Sequence, residues 1–300
     1  MKALVTGGAG FIGSWIVDDL IEQGHEVAII DNLSSGSERN LNNRAIFYER
    51  DIRSDLSDIF EKEEPKNVFH LAAQVNLRES LKNPINDAGI NILGSLNVIN
   101  ECINIGVNKI IFSSSGGAIY GRNGRLPLKE GEAEIPESPY GIAKLSIEHY
   151  LRVAKNVSGL DYVALRYANV YGPRQNHVGE AGVIALFLNR ILNDKVCTIF
   201  GSGEQTRDYV YVKDVAKANT LALDLSGTYN VGTGIEISVN EMFDELFKRL
   251  GKGISMRVEK IPGELMRNSL DNSKLRSEGW EPEYSFEKGL DETIESFKKL

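Results

Sequence analysis

Two side chains at helical spacing are the strongest candidates for chemistry in this sequence. Tyr140 and Lys144 lie four residues apart in a segment that begins with Ser138 and Pro139, two residue types that suit the N-cap and first position of a helix. Residues four apart share one face of a helix. A cation beside a phenol lowers the pKa of the tyrosine, which can then exchange a proton with a substrate hydroxyl near neutral pH. The pair therefore predicts acid–base chemistry, although a packed Tyr and a surface Lys also occur at this spacing by chance.

Polar side chains end two of the predicted strands. Ser113, Ser114 and Ser115 end the apolar segment before this helix, and His70 ends another. Ligands of open parallel sheets bind beyond the carboxyl ends of the strands, so we expect the serines to face the same crevice as Tyr140. His70 could serve as a general base. We interpret it instead as a buried histidine, followed by small residues that let a cofactor approach.

A glycine-rich turn lies between the first strand and the first helix. Gly8, Gly10 and Gly13 match G-x-G-x-x-G, and Gly7 with the last two also matches G-x-x-G-x-x-G. The missing side chains permit a tight turn and let the backbone approach a pyrophosphate, which the helix N-terminus binds through its amides and positive dipole end. A glycine turn without a ligand is the alternative. The flanking strand and helix, and an acidic residue ending the second strand, favour a dinucleotide site.

That acidic residue is Asp31, and it predicts which dinucleotide binds. A carboxylate at this position can accept hydrogen bonds from the adenosine ribose and would repel a 2′-phosphate. No Arg follows at once, because the next residues read Asn-Leu-Ser-Ser-Gly. The sequence therefore predicts NAD rather than NADP. Asp51, after the third strand, could line the adenine pocket together with Ile52 or could equally be a solvated loop acid.

Strands and helices alternate through the first half of the chain. The apolar patterns predict strands over 2–6, 26–30, 46–49, 68–72, 109–113 and 162–166, and helices over 11–23, 54–63, 84–106 and 138–158. This alternation is typical of βαβ units, whose right-handed crossovers place helices on both faces of the sheet. The predicted fold class is α/β, a Rossmann doubly wound parallel sheet.

After Asn169 the sequence becomes richer in Gly, Pro and Asn, with helical patterns near 182–193, 239–250 and 286–298. A short strand is predicted near 198–200, and strands at 209–212 and 228–231 could rejoin the sheet. We therefore predict an NAD-binding domain over residues 1–168 plus about 207–232. A smaller, interleaved C-terminal domain would comprise about 169–206 and 233–300.

Charge and cysteine content exclude several partners. The 300 residues carry a net charge of −8, whereas nucleic acids and acidic membrane surfaces require a basic face. Cys102 and Cys197 are far apart, and no histidines or cysteines stand at metal-ligand spacing. We expect no metal, no disulfide and a reducing cytoplasm. We also expect no signal peptide and no membrane span.

These motifs together resemble the extended short-chain dehydrogenase/reductase family, most closely its UDP-glucose (UDP-galactose) 4-epimerase branch. The resemblance spans nearly the whole chain. It is carried by residues 6–13, 31–36, 69–73, 113–115, 120–121, 140, 144, 166–173 and 207–210. It implies a tightly held NAD and a UDP-sugar substrate bound by the C-terminal domain. The cofactor contacts that we assign are Gly7, Gly10, Phe11, Ile12, Gly13, Asp31, Asn32, Ser35, Gly36, Asp51, Ile52, Leu71, Ala72, Ala73, Tyr140 and Lys144.

The resemblance also implies roles at the reacting centre. Tyr140 would take the proton of the sugar 4-hydroxyl while carbon 4 is oxidised, and Ser115 would hydrogen-bond the same oxygen. Lys144 would hold the nicotinamide ribose and lower the pKa of Tyr140. Asn169 and Arg207 match positions that hold the UDP moiety, and the forked donors of an Arg suit a diphosphate.

The chain departs from the family pattern in two places. The stretch after Ser115 is one residue longer than in many relatives, so Ser114 is an alternative catalytic serine. A second diphosphate-binding Arg is expected two residues before a Gly-Asp pair, but this chain has Ile261 before Gly263-Glu264. Lys260 or Arg267 could substitute.

One position in the same region bears on the choice of sugar. By the same alignment, Asn268 would gate the space beside the sugar 2-substituent. Its small size predicts activity on UDP-N-acetylglucosamine as well as on UDP-glucose and UDP-galactose, unless it faces solvent and gates nothing.

Other activities of the family and a non-enzymatic role are the alternatives. Nucleotide-sugar 4,6-dehydratases carry an Asp-Glu pair just after the catalytic Ser or Thr, and the decarboxylase branch usually has a Glu there. This chain has Gly116, Gly117, Ala118 and Ile119, which cannot transfer protons. A UDP-glucuronate epimerase and a non-catalytic NAD-binding regulator stay open.

A homodimer is also expected, mainly from the resemblance, because family members pair two helices of each subunit into a four-helix bundle. An apolar stripe at helical spacing supports it and comprises Ile85, Ala88, Ile92, Ile99 and Ile103. One stripe must face the parent sheet, so a dimer requires a second apolar surface.

Overall fold

The computed structural model describes residues 1–122, 125–176, 182–260 and 265–299. The strands are β1 (Lys2–Thr6), β2 (Glu26–Asp31), β3 (Ile46–Glu49), β4 (Asn67–His70), β5 (Lys109–Ser115), β6 (Asp161–Tyr167), β7 (Asn169–Tyr171), β8 (Cys197–Phe200), β9 (Thr206–Tyr211), β10 (Gly227–Val231), β11 (Glu236–Ser238) and β12 (Ser255–Val258). The helices are α1 (Phe11–Glu22), α2 (Ser57–Glu63), α3 (Leu77–Lys82), α4 (Pro84–Ala88), α5 (Ser95–Ile105), α6 (Gly116–Ile119), α7 (Pro139–Ser158), α8 (Val183–Leu192), α9 (Val212–Leu221), α10 (Val239–Leu250), α11 (Ser273–Ser277) and α12 (Phe286–Phe297).

Seven parallel strands form the central sheet, in the order β3-β2-β1-β4-β5-β6-β10. Successive residues of a strand point to opposite faces, and both faces are apolar here. Ala3 and Val5 pack against α1 and α9 on one face, while Leu4 packs with residues of α2, α5 and α7 on the other. The predicted α/β Rossmann fold is confirmed.

The long helix predicted over 84–106 contains an irregular turn. Helices α4 and α5 are joined by a π-helical segment, Gly89–Gly94, with no break in the helical backbone. A π-helical turn inserts an extra residue into a helix and is frequent at functional sites. Apolar periodicity over the whole helix does not reveal it.

Only one of the two later strands rejoins the central sheet. Strand β10 pairs with β6 at the edge, whereas β9 lies between β7 and β11 in a separate three-stranded sheet. The expectation that the strand at 209–212 could rejoin the central sheet is therefore wrong, because β10 occupies the β6 edge and β7 provides another partner. Strands β8 and β12 form a two-stranded parallel sheet, and side chains of α8, α10 and α12 pack in the core of this second region.

In the described part of the chain, no helix combines the length and the apolar character needed to cross a bilayer. The division into domains at about 168, 207 and 232 stays a prediction.

Candidate active site

The glycine turn after β1 lies against the residues that directly follow β4. Gly7 has a left-handed backbone with φ of +73°, and a Cβ on it would lie 2.7 Å from the backbone nitrogen of Ala72. Gly10 is the N-cap of α1, where no side chain caps the helix and the first turn holds no acidic residue. The turn therefore provides a cradle without side chains at a helix N-terminus, which fits a pyrophosphate.

Asp31 is fixed at the end of β2, beside this turn. The buried carboxylate accepts the Ala9 amide at 3.0 Å and the Leu33 amide at 2.8 Å. Asn40, which sequence reasoning missed, donates to the Ala9 carbonyl at 3.0 Å. A Cβ on Gly36 would lie 3.1 Å from the Ala9 backbone. The segment that follows Asp31, with Ser35 at its centre, thus closes over the glycine turn.

Asp51 is held by two neighbours. The Asn32 amide donates to it at 2.9 Å, and the Arg53 guanidinium donates to both carboxylate oxygens at 2.8–2.9 Å. The hydrogen bonds from Arg53 hold the pKa of Asp51 well below its usual range. Asp51 is thus an anchored carboxylate beside Asn32 and next to the buried Ile52, and no sequence pattern pointed to Arg53.

His70 is a structural residue, as interpreted from the sequence. Its side chain is 1% exposed and lies between Thr6 Oγ1 at 2.7 Å and Ser95 Oγ at 2.8 Å. Burial, followed by the charge of Lys144, lowers the pKa of His70 to about 3. Because both ring nitrogens are engaged, the neutral imidazole ties β4 to the helix that begins at Ser95. The cofactor-lining residues Leu71, Ala72 and Ala73 follow it and are half-buried.

The predicted catalytic side chains converge at the start of α7. The Ser138 hydroxyl accepts the Gly141 amide at 3.1 Å and begins the helix, with Pro139 in its first turn. Lys144 Nζ donates to the Ser113 carbonyl at 2.7 Å and lies 5.8 Å from the centre of the Tyr140 ring. The Ser115 side chain lies beside the Tyr140 phenol and acts to lower its pKa.

The two candidate serines have different partners. Ser114 Oγ donates to the buried carboxylate of Glu148 at 2.6 Å, and Glu148 in turn pairs with Arg166. Ser114 therefore belongs to a buried ion-pair cluster, and Ser115 is the serine that faces the phenol.

The expectation that Lys144 lowers the pKa of Tyr140 is wrong. Burial raises the pKa of Tyr140 to about 12, against a lowering effect of the Ser115 side chain. Burial likewise lowers the pKa of Lys144 to about 8, although the carboxylates of Asp87 and Glu148 act in the opposite direction. Lys144 does not lower the pKa of Tyr140 here because its ammonium is directed at the Ser113 carbonyl, and desolvation of the phenol dominates.

Asp87 is a functional candidate that sequence reasoning missed. It is 1% exposed, and its Oδ1 accepts Gln74 at 2.7 Å and Asn91 at 3.0 Å. Its charge raises the pKa of both Tyr140 and Lys144. This carboxylate therefore lies close enough to the catalytic pair to act on both groups, and its partner Gln74 directly follows the cofactor-lining residues. An acidic residue four positions before Asn91 was the only signal in the sequence.

The predicted substrate residues lie on β7, on β9 and near the end of the described chain. Asn169 is exposed at the start of β7, which pairs with β9, the strand that carries Arg207. Asn268 is 1% exposed, and neither its Oδ1 nor its Nδ2 has a hydrogen-bond partner among the described residues. A Cβ on Gly117 would lie 3.8 Å from Asn268 Oδ1. Asn268 is thus buried with two unsatisfied polar atoms, directed toward the turn after Ser115.

The second diphosphate contact is only partly described. Ile261, Gly263 and Glu264 lie outside the described residues. Of the two proposed substitutes, Arg267 forms a double hydrogen bond with Glu236 at 2.8 and 2.5 Å, and Lys260 is exposed.

The turn after Ser115 is closed by the C-terminal region. A Cβ on Gly116 would lie 2.6 Å from Leu270 Cδ1, and Leu270 is fully buried. A larger side chain at this position would require Leu270 to move. Gly116 and Gly117 have no side chains and so supply no acid–base pair of the kind that dehydration would need.

Comparison with known proteins agrees with this geometry. The profile of the NAD dependent epimerase/dehydratase family matches residues 3–232. The chain belongs to that family. The family is NAD dependent, so the cofactor prediction is confirmed.

Individual relatives cover almost the whole length. The putative UDP-glucose 4-epimerase of Methanocaldococcus jannaschii is 45% identical over 98% of both chains. The crystal structure of UDP-glucose 4-epimerase with UDP-glucose from Thermotoga maritima has a TM-score of 0.97 and 48% identity, over 100% of this chain and 99% of that one. A UDP-N-acetylglucosamine 4-epimerase of Methanobrevibacter ruminantium M1, in complex with UDP-N-acetylmuramic acid, has a TM-score of 0.94 and 42% identity, over 99% and 98% of the two chains.

Proposed function

We propose that this chain is a UDP-glucose 4-epimerase, which interconverts UDP-glucose and UDP-galactose. The observation that carries the proposal is the pairing of Tyr140 with Ser115 beside a turn that Leu270 closes. Epimerisation at carbon 4 needs one proton-transfer group and no further acid or base, and the site offers that set. The named relatives, which are epimerases of UDP-sugars, support the same activity.

The chain's own residues would bind the cofactor and the substrate, orient the sugar 4-hydroxyl and transfer one proton. NAD, when bound, supplies the reversible oxidation of sugar carbon 4. The glycine turn, Asp31 and residues 71–73 would hold it. Tyr140 would take the proton of the 4-hydroxyl and later return it, and Ser115 would orient the same oxygen. Asn169 and Arg207 would hold the UDP moiety.

The raised pKa of Tyr140 determines under which conditions its phenol can act as a base. With a pKa of about 12 the phenol keeps its proton at neutral pH. A positive charge added near the phenol favours the phenolate. We therefore propose that positive charge brought in with the cofactor would favour the phenolate of Tyr140, because the Lys144 ammonium is directed at the Ser113 carbonyl.

The decisive experiment incubates the purified protein with UDP-glucose, UDP-galactose, UDP-N-acetylglucosamine and UDP-glucuronate, and separates the products. We expect 4-epimers of the first three without added NAD. A 4-keto-6-deoxy product would indicate a dehydratase, loss of CO₂ a decarboxylase, and turnover of UDP-glucuronate alone a glucuronate epimerase. Bound NAD with no turnover of any sugar would indicate a regulator.

NAD is expected to be preferred over NADP, because a 2′-phosphate would meet the buried carboxylate of Asp31. Cofactor extracted from the purified protein should be NAD by mass. Asp31→Ser should reduce the preference for NAD by at least about tenfold, since the like-charge repulsion disappears. Asp55→Ser, at an exposed loop acid, is the matched control and should leave the preference unchanged. Recovery of NADP from the wild type would contradict the assignment.

We also propose a homodimer, formed mainly by residues outside the stripe predicted from the sequence; only Ile85 belongs to both sets. Ile99 is buried, and Ile92 and Ile103 pack against the core under α5, so that stripe mostly faces the parent sheet. A second stripe is exposed on α7 and the neighbouring helix, and comprises Ile85, Leu93, Ile142, Tyr150, Val153 and Val157. Contiguous exposed apolar surface of this kind supports a protein interface.

Light scattering at micromolar concentration should give twice the chain mass of 33.2 kDa. Val153→Glu should shift the mass to that of a monomer, because it places a charge in the middle of the apolar stripe. Ile254→Glu changes an equally exposed apolar residue before β12 and should leave the dimer intact. A monomeric wild type would refute the proposal.

We further place the protein in a reducing cytoplasm. Cys102 and Cys197 are both buried free thiols, and burial raises the pKa of the Cys197 thiol to about 11. Neither thiol is suited to oxidation or exchange.

A further inference from the structure

A buried carboxylate joins three separate chain segments beside the proposed substrate site. Asp208 is 0% exposed. Its Oδ1 accepts the Thr233 amide at 2.9 Å and the Thr233 hydroxyl at 2.6 Å, and its Oδ2 accepts the Gly234 amide at 3.0 Å and the Leu270 amide at 3.2 Å. All four partners are donors, which suits the acceptor oxygens of a carboxylate; burial raises the pKa of Asp208, and these four hydrogen bonds oppose that effect.

The three segments carry different parts of the proposed site. Asp208 follows Arg207 on β9, and Leu270 lies two residues after Asn268. The third segment, 232–234, leads into β11, and a Cβ on Gly232 would lie only 2.5 Å from Asp208 Oδ2. One carboxylate therefore connects the strand of the diphosphate contact to the segment that closes the sugar end of the site.

We propose that Asp208 is a positioning residue that fixes the distance between Arg207 and Asn268, and thereby controls both UDP affinity and the choice of sugar. The proposal rests on the proposed function for the roles of those two residues. Asp208 itself touches neither the UDP nor the sugar. It acts by holding the 268–270 segment against Gly116 and Gly117 while Arg207 is presented from β9.

Asp208→Asn is the informative variant because it keeps the shape of the side chain and removes its charge. One oxygen becomes an amide NH₂ group, which would face the N–H of Thr233 or the N–H groups of Gly234 and Leu270. Because the NH₂ group and these N–H groups are all donors, the hydrogen bonds that the carboxylate oxygen accepted would be lost inside a buried site. The 232–234 and 268–270 segments should then shift relative to β9.

Asp214 provides a matched control. It is also 0% exposed and accepts two backbone amides, those of Glu283 at 3.0 Å and Tyr284 at 3.2 Å. Those amides belong to the segment that leads into α12. Asp214→Asn should lower the melting temperature in the same way as Asp208→Asn, without moving the substrate contacts.

The test uses the NAD-loaded holoenzyme of each variant. Calorimetric titration with UDP measures the affinity of the site for the UDP moiety. The values of kcat and KM for UDP-glucose and UDP-N-acetylglucosamine measure the preference between the two sugars. Asp208→Asn is expected to weaken UDP binding about tenfold and to change the ratio of the two kcat/KM values by a similar factor, because small misplacements of binding groups have effects of that size. Asp214→Asn should change neither by more than about twofold.

The proposal would be overturned if folded Asp208→Asn kept both the UDP affinity and the ratio of the two kcat/KM values of the wild type. It would also be overturned if Asp208→Asn and Asp214→Asn changed these quantities equally. If Asp208→Asn does not fold, Thr233→Val removes one of the four bonds and should shift the ratio in the same direction by about threefold. An unchanged ratio in that variant would also overturn it. If the wild type converts no UDP-sugar, the proposed function fails, while the UDP titration still tests Asp208.

Discussion

Tyr140→Phe is expected to lower kcat by about 10²–10⁴-fold, the usual loss when a positioned acid–base group is removed, while NAD stays bound. Tyr140 is the only proton-transfer group among the described residues that we place at the sugar 4-hydroxyl, and Ser115 lies beside its phenol. Phe keeps the ring that packs above Lys144 and removes only the hydroxyl. The measurement is the rate of UDP-galactose conversion, together with the NAD content of the purified variant.

Tyr162→Phe is the matched control, because Tyr162 lies at the start of β6, at the opposite end of the strand from the proposed site. It should leave the rate unchanged. A folded Tyr140→Phe protein that keeps a near-normal rate would disprove the mechanism. Loss of bound NAD in that variant would instead assign Tyr140 a mainly structural role in the cofactor site.

Asn268→Tyr is expected to abolish most activity on UDP-N-acetylglucosamine and to preserve activity on UDP-glucose. Asn268 is buried beside Gly117, and its polar atoms have no hydrogen-bond partner among the described residues. We assign the space beside it to the sugar 2-substituent, and a larger side chain would fill that space. Overpacking costs about 1–3 kcal/mol in protein cores, which corresponds to roughly 5- to 150-fold in kcat/KM. The ratio of kcat/KM for the acetylated and plain sugars gives the effect.

Asn268→Ala separates size from hydrogen bonding. If size is decisive, this variant keeps the acetylated sugar as a good substrate. A selective loss of that substrate in Asn268→Ala would show that the amide binds the acetamido group. If Asn268→Tyr leaves the ratio unchanged, Asn268 is not the gate.

The fold was predictable because the central strands carry a strong local signal. Strand β1 is buried on both faces, so its residues read as one apolar run bounded by a glycine turn. Strand β5 is also buried along most of its length, and the predicted strand bounds lie within a few residues of those observed. Strand β9 shows the limit. Its sequence indicates a strand but not its partner. That partner is β7, because β10 occupies the free edge of β6.

The site was predictable in composition but not in electrostatics. Residue spacing brought Tyr140 and Lys144 to one helix face, whereas the direction of the Lys144 ammonium depends on the Ser113 carbonyl. The sign of the Tyr140 pKa shift depends on burial, which is a property of the assembled site. Asp87 and Asp208 were missed for a related reason. Each acts through partners far away in the sequence, and an isolated Asp carries no signal of them.

The interleaving of the chain has a consequence for its biosynthesis. Strand β10 covers the edge of β6, yet it is separated from β6 by β7, β8, β9 and their helices. At ribosomal rates of about 5–20 residues per second, the roughly sixty residues between the end of β6 and the end of β10 take about 3–12 s to synthesise. During that interval β6 can pair with β5, but its other edge has no partner strand, and such an edge is prone to pair with other chains. Slow translation of this segment should therefore increase the demand for a chaperone.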